Sequence, residues 1–201
     1  MSAERSSILS LPAAYRFFQW TVGHNRFWNI FLPEYVKPAA GERVLDIGCG
    51  PADVLARLRD VDYTGFDLSP EYIAAAKRRY GSRGRFFCGD VGRTSLGQER
   101  FDLVLAGGVL HHLEDMEADR LFALARAALK PTGRLVTLDG CYVEGQSRIA
   151  RWFLAHDRGT HVRTQEHYLR LAEIHFPKVE PYLRHDLLHI PYTHLILRCT
   201  T

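Results

Sequence analysis

Val44-Leu45-Asp46-Ile47-Gly48-Cys49-Gly50-Pro51 is the stretch from which the fold of this 201-residue chain is read. A short apolar strand ends in an acid, and two glycines then open a turn into the next helix. The strand holds the turn in space. The glycines let the backbone approach a ligand with no Cβ in the way, and the start of a helix offers unpaired N–H groups. In a doubly wound α/β sheet such a turn lies at the carboxyl end of the first strand, where ligands bind. The arrangement is a nucleotide platform.

Charge on the turn narrows the ligand. A dinucleotide fingerprint reads G-x-G-x-x-G and offers a helix N-terminus to a pyrophosphate. Here the run is Gly48-Cys49-Gly50-Pro51-Ala52-Asp53, with an acid where the third glycine belongs. A carboxylate there repels a diphosphate, and Asp46 adds a second negative charge. This argues against a dinucleotide-dependent oxidoreductase. Two acids flanking the turn suit a ligand with a cationic part.

S-adenosylmethionine is such a ligand, with a sulfonium, an ammonium and no phosphate. Val44 to Pro51 resembles the first motif of the class I S-adenosylmethionine-dependent methyltransferases, V-L-D-[IV]-G-C-G-x-G. Pro51 and Ala52 stand where that family more often has Thr and Gly. The resemblance runs motif by motif over residues 41 to 140 and to the end by element order. It implies an α/β fold, a doubly wound Rossmann-like sheet of seven mixed strands in the order 3-2-1-4-5-7-6. The last strand is antiparallel and helices cover both faces. It also implies S-adenosyl-L-methionine as cofactor, S-adenosyl-L-homocysteine as product, and a methionine end admitted by Gly48, Cys49 and Gly50. Asp46 orients the glycine loop.

The next segments carry the rest of such a site. Arg43 to Gly48 is the first strand and Asp53 to Arg59 the first helix. Asp62 to Asp67 is the second strand, and Asp67 follows Asp46 by 21 residues. That is the spacing of a ribose-binding carboxylate, which accepts both hydroxyls of a diol. Leu68 follows it as a further cofactor contact. Ser69-Pro70-Glu71 opens a helix, with serine as N-cap and proline in the first turn. Arg85 to Cys88 is a third strand, and the resemblance implies that Asp90 accepts from the adenine amino group while Val91 packs on the ring. Phe101 to Ala106 is an apolar central strand. Its end carbonyls, at Ala106 and Gly107, are placed to hold the cofactor ammonium.

Val109-Leu110-His111-His112-Leu113 then resembles the x-x-V-L-H-H-L stretch that such methyltransferases carry beside the methyl group. The two histidines cannot face the same way on one turn. One is expected under the loop and the other toward the pocket, and His111 and His112 are the candidates for a catalytic base. Glu117 to Leu129 is an amphipathic helix, stopped by Pro131 and Gly133. Lys130-Pro131-Thr132-Gly133-Arg134-Leu135 resembles the family's L-K-P-G-G-x-L entry to a fifth strand, Arg134 to Asp139. The chain closes with strands Lys178 to Leu183 and His194 to Cys199, a hairpin.

Acceptor recognition is expected outside this frame. Residues 1–40 are an aromatic helical segment, with eight rings from Tyr15 to Tyr35, that covers one sheet face or forms a lid. Arg26 or Tyr15 is a candidate to hold the methionine carboxylate. Residues 140–176 form a substrate-side insertion, with helices over Arg148 to Ala155 and from Thr164 to Ile174. Between them, Arg158 and Arg163 are candidates to bind an acceptor carboxylate or phosphate bidentately, against the plain alternative of a solvated loop.

Composition agrees with a single domain over 1–201, at 46% hydrophobic and 24% charged residues. A net charge of +3 without a dense basic run does not favour a nucleic-acid partner, and no signal peptide or membrane span is visible. The four cysteines form no C-x-x-C pair, and the ten histidines lack metal-ligand spacing, so no metal is expected. The sequence therefore reads as a cytoplasmic methyltransferase, a monomer or homodimer, acting on an O or N atom of a small molecule by in-line displacement. The alternatives are a protein or RNA acceptor, or a non-catalytic S-adenosylmethionine-binding module.

Overall fold

A computed structural model describes residues 24–93, 100–156 and 159–201. Helix α1 (His24–Phe31) runs into a π-helical turn at Leu32–Val36, and β1 (Arg43–Ile47) follows. Next come β2 (Asp62–Asp67), α2 (Pro70–Tyr80), β3 (Gly84–Cys88) and β4 (Phe101–Gly107). Helix α3 (Asp115–Ala128), β5 (Leu129–Tyr142), α4 (Arg148–Ala155), the two-residue β6 (Arg163–Thr164) and α5 (Gln165–Glu173) lead to β7 (Lys178–Arg184) and β8 (His194–Thr200).

The sheet runs β3-β2-β1-β4-β5-β8-β7, with β6 paired to β5 off this path. Strands β1 to β5 pair in parallel, and β8 is antiparallel to both β5 and β7. Leaving β6 aside, this is the expected order 3-2-1-4-5-7-6. The apolar run of β4 would be costly at an edge; here Leu103, Val104, Leu105 and Ala106 are all buried in the middle of the sheet. One face is covered by α3 and α5 through Leu121, Phe122, Ala125, Tyr168 and Phe176. The other is covered by α1, the π-turn and α2 through Phe31, Val36, Leu55, Ile73 and Tyr80.

Local signals act where expected. The Ser69 hydroxyl accepts from the Tyr72 amide at the start of α2, and Glu114 and Glu117 form a capping box on α3. Thr164 caps α5. The expected helix over Asp53 to Arg59 is instead a single 3₁₀ turn at Asp53–Ala56. Ala52 and Asp60 both take left-handed backbone, at φ 59° and 52°, and the crossover from β1 to β2 has little chain left for a full helix. Strand β5 is also longer than expected, starting at Leu129 and running on to Tyr142. A bulge opposite Phe101 and Leu103 absorbs Pro131 and Gly133.

Within the aromatic N-terminal segment, the described part packs as a cover. Phe27 stacks on Phe31 at 5.2 Å between ring centres and reaches His194 of β8 at 6.5 Å. Tyr15 and the rings before residue 24 lie outside the described residues. All four cysteines are free, and only Cys88 is exposed.

Candidate functional site

The site is built at the carboxyl ends of β1, β2 and β4, where the strand order reverses on either side of β1. Gly48 turns the chain at φ 70°, and a Cβ there would come within 2.5 Å of a Val109 methyl, so only glycine fits between β1 and the turn after β4. The Cys49 amide donates to the Phe66 carbonyl at 2.9 Å. Asp67 completes the clip: its Oδ2 accepts from the Gly50 amide and its Oδ1 from the Ser69 amide, both at 2.8 Å. A half-buried carboxylate therefore sits between two turns, and Leu68 beside it is 73% exposed. An apolar side chain held out at a strand end is a surface for a flat ring.

Asp46 lies beneath this turn. It is buried, and its Oδ2 accepts from the Tyr63 hydroxyl at 2.5 Å. Burial pushes its carboxyl up to about 7, the Tyr63 bond opposes the shift, and the nearby Asp67 charge adds to it. The same burial, with both acids nearby, pushes the Cys49 thiol up. Asp46 thus supports the turn from below. Tyr63 was invisible as its partner in the sequence, because Gly65 faces Asp46 across the strands and the gap is filled by Tyr63 and Cys49.

Asp90 is exposed and its Oδ1 accepts from the Gly92 amide at 2.8 Å, closing a short turn, while Val91 is buried. At the end of β4, Ala106 is fully buried and Gly107 is exposed. The Gly108 amide donates to the Leu138 carbonyl at 2.7 Å, tying this end to β5.

The two histidines diverge. His111 is buried and donates from both its amide (3.1 Å) and Nδ1 (2.8 Å) to Asp139 Oδ1. Asp139 is itself buried, its Oδ2 has no hydrogen-bond partner, and burial raises its carboxyl while His111 opposes that shift. His112 is exposed, its ring 4.2 Å from that of His111.

The arginines do other work than expected. Arg163 is buried, with Nε on Asp115 (2.9 Å), Nη1 on the Leu110 and His161 carbonyls (2.8 and 3.0 Å) and Nη2 on the Leu113 carbonyl (2.6 Å). Its guanidinium is engaged in holding the histidine turn, where the sequence offers it as an acceptor-binding candidate. Arg26, the other candidate within the described residues, donates through Nε to the Asp186 carbonyl at 2.8 Å. Arg158 lies outside the described residues, as does Tyr15. Among the described residues, no group of three or more His, Cys, Asp or Glu is placed to hold a metal ion.

The chain's likeness to known proteins follows this geometry. A family model described as a methyltransferase domain matches residues 44–133, from β1 through the entry to β5. A ubiquinone biosynthesis O-methyltransferase of Rhodopseudomonas palustris is 33% identical over 143 residues, covering 64% of this chain and 54% of that protein. An eEF1A lysine and N-terminal methyltransferase of Danio rerio is 28% identical over 167 residues, covering 80% of this chain and 21% of that protein. A phosphoethanolamine N-methyltransferase of Haemonchus contortus, solved with S-adenosylhomocysteine, superposes with a TM-score of 0.74 at 16% identity, covering 96% of this chain and 58% of that one. The chain spans only about a fifth to about half of these curated relatives. Fold, turn and matches together define a Rossmann-like class I nucleotide-binding domain. Within that class, residues 44–133 match a methyltransferase domain, and the chain is similar to methyltransferases over that region.

Proposed function

We propose that this chain transfers a methyl group from S-adenosylmethionine to an oxygen or nitrogen of a small molecule. The observation that carries the reading is Asp67, a half-buried carboxylate clipped to the Gly50 and Ser69 amides beside a turn with no cationic residue. Such a group receives a ribose diol and repels a diphosphate. The exposed Leu68 and the buried Val91 supply apolar contact for the adenine, and Asp90 accepts from its amino group. The exposed Gly107, with Ala106 behind it, offers a carbonyl to the ammonium. Cys49 and Gly50 form the floor under the methionine end.

When bound, the cofactor would supply an electrophilic methyl carbon on a sulfonium, to be taken by an acceptor lone pair as the carbon–sulfur electrons return to sulfur and the acceptor's proton passes to a base. The sulfonium charge would be dispersed in such a transfer, so a dry and oriented site helps it more than strong charges do. His111, fixed by Asp139, positions the turn after β4. His112, exposed beside it, is the group placed to take the proton.

The test begins with cofactor affinity. Asp67→Ala is expected to weaken S-adenosylhomocysteine binding by about 1–3 kcal/mol, the loss of hydrogen bonds to a charged group. An unchanged dissociation constant by calorimetry removes Asp67 from the site. Release of S-adenosylhomocysteine on adding an acceptor panel then separates an enzyme from a binding module. A protein acceptor is the second reading. Ile149 and Trp152, 60% and 55% exposed on α4, give an apolar surface on the insertion side that a polypeptide would cover.

A further inference from the structure

A cavity of about 330 Å³ opens between the loop after β5 and the loop that leads into β8. Its apolar walls are Val143, Ala150, Pro191 and the Tyr192 ring, and its polar side chains are Glu144, Gln146, Ser147, His185 and Thr193. The volume suits a small ligand of about one ring and a short tail. The position suits the reaction. Leu138 pairs with Gly107 at the end of β4, and Gly140, two residues further along β5, lies against the Tyr192 hydroxyl. At about 3.3 Å per residue and about 4.8 Å between strands, the cavity floor is within about 10 Å of the end of β4.

The walls are fixed. Gln146 Nε2 donates to the Cys141 carbonyl (3.1 Å) and to Thr193 Oγ1 (2.7 Å), joining one loop to the other. Thr193 Oγ1 also lies 3.1 Å from His185 Nδ1. Below, Arg184 binds Asp186, Glu34 and the Tyr35 hydroxyl, and Arg26 binds the Asp186 carbonyl. The Arg184 contact holds the Asp186 carboxyl down at about 2. The arginines nearest this loop are thus consumed in bracing it, and among the described residues no lysine or arginine lines the cavity.

Charge selects the ligand. The Glu144 carboxylate is the acid of the cavity lining, and no lysine or arginine among the described residues stands there to offset it. A hydroxyl or an ammonium can donate to it. A carboxylate or phosphate, which only accepts, is repelled by it.

Resting on the methyltransferase reading, we infer that this cavity seats the methyl acceptor and takes a small neutral or cationic ring-bearing molecule, excluding anionic analogues through the Glu144 carboxylate. Three probes share one ring and differ in the tail: 4-(2-hydroxyethyl)phenol, tyramine and 4-hydroxyphenylacetate. Binding is measured by ligand-observed NMR on the full chain saturated with S-adenosylhomocysteine, and turnover with labelled S-adenosylmethionine. The alcohol and the amine are each expected to bind at least about tenfold tighter than the carboxylate, a modest difference for a charge set beside a carboxylate. Glu144→Lys, at an exposed position, is expected to reverse that order while leaving the S-adenosylhomocysteine dissociation constant unchanged. Equal or tighter binding of the carboxylate by the parent chain, no binding of any probe, or an unaltered order in Glu144→Lys each overturns the proposal. Selective binding without methyl transfer upholds the cavity and counts against the enzymatic reading, so the two failures are told apart.

Discussion

At the scale of single residues, the least expected feature is an acid placed where it is hard to ionise. Asp46 has its carboxyl raised to about 7 by burial, against an ordinary value of 3.8. The folded chain therefore holds this proton between those values while the unfolded chain has released it, so stability falls as pH rises through that window. Asp46→Asn removes the dependence. Its melting temperature is expected to decline less from pH 5 to pH 8 than that of the parent, and parallel melting curves would show that Asp46 does not titrate there. Gly140 is constrained by space. A Cβ would stand 2.5 Å from the Tyr192 hydroxyl and 2.7 Å from a Leu154 methyl. Gly140→Ala is expected to cost about 1–3 kcal/mol in urea unfolding, as over-packing does. Ala52 shows the opposite tolerance: it takes φ 59° without glycine, and its buried methyl offsets part of the strain.

At the scale of elements, the turn after β4 is held less by its own sequence than by a residue 53 positions away from Leu110. Arg163 bonds the carbonyls of Leu110 and Leu113, while Asp139 takes the His111 amide and ring from β5. The Leu110 carbonyl takes the guanidinium beside its own 3.2 Å bond from the Leu113 amide, and the Leu113 carbonyl, with no helix to complete, takes its donor from the same guanidinium. Arg163→Met keeps most of the side-chain bulk and removes the donors. It is expected to destabilise the chain by about 2–3 kcal/mol, the scale of hydrogen bonds to a charged group, and a shift in the urea midpoint measures it. A loss below about 0.5 kcal/mol would mean that water replaces the guanidinium there. Elements with strong local signals were legible in advance: α4 over Arg148–Ala155, the Ser69 cap of α2, and the closing hairpin. The 3₁₀ turn at Asp53–Ala56 was not, because the crossover length overrides a sequence that alone would continue the helix.

At the scale of the whole molecule, the cofactor cleft draws on turns that follow four strands, β1 to β4, so a ligand there couples elements far apart in the chain. S-adenosylhomocysteine at 100 times its dissociation constant is expected to stabilise the fold by about 2.7 kcal/mol, which is about 5–10 °C in melting temperature for a domain of this size. No shift in a thermal melt would mean that the cleft does not bind it. Among the described residues no helix is long and apolar enough to cross a membrane. The bracing of the 185–193 loop by Arg26, Glu34 and Arg184 also joins the first described helix to the last hairpin, which makes α1 part of the same packed body.

The glycine turn and the acids at 46 and 67 followed from local rules, namely apolar runs, turn residues and the spacing of one crossover, while the order of strands came from the resemblance to the class I methyltransferases. Tertiary structure decided the rest. It showed that Tyr63 protects Asp46, that Arg26 and Arg163 brace turns, and that Glu144 and His185 share a cavity. The physical reason is that the fate of a charged or polar side chain depends on which partners reach it first. Partners up to 160 residues apart are chosen by packing, which no local pattern records.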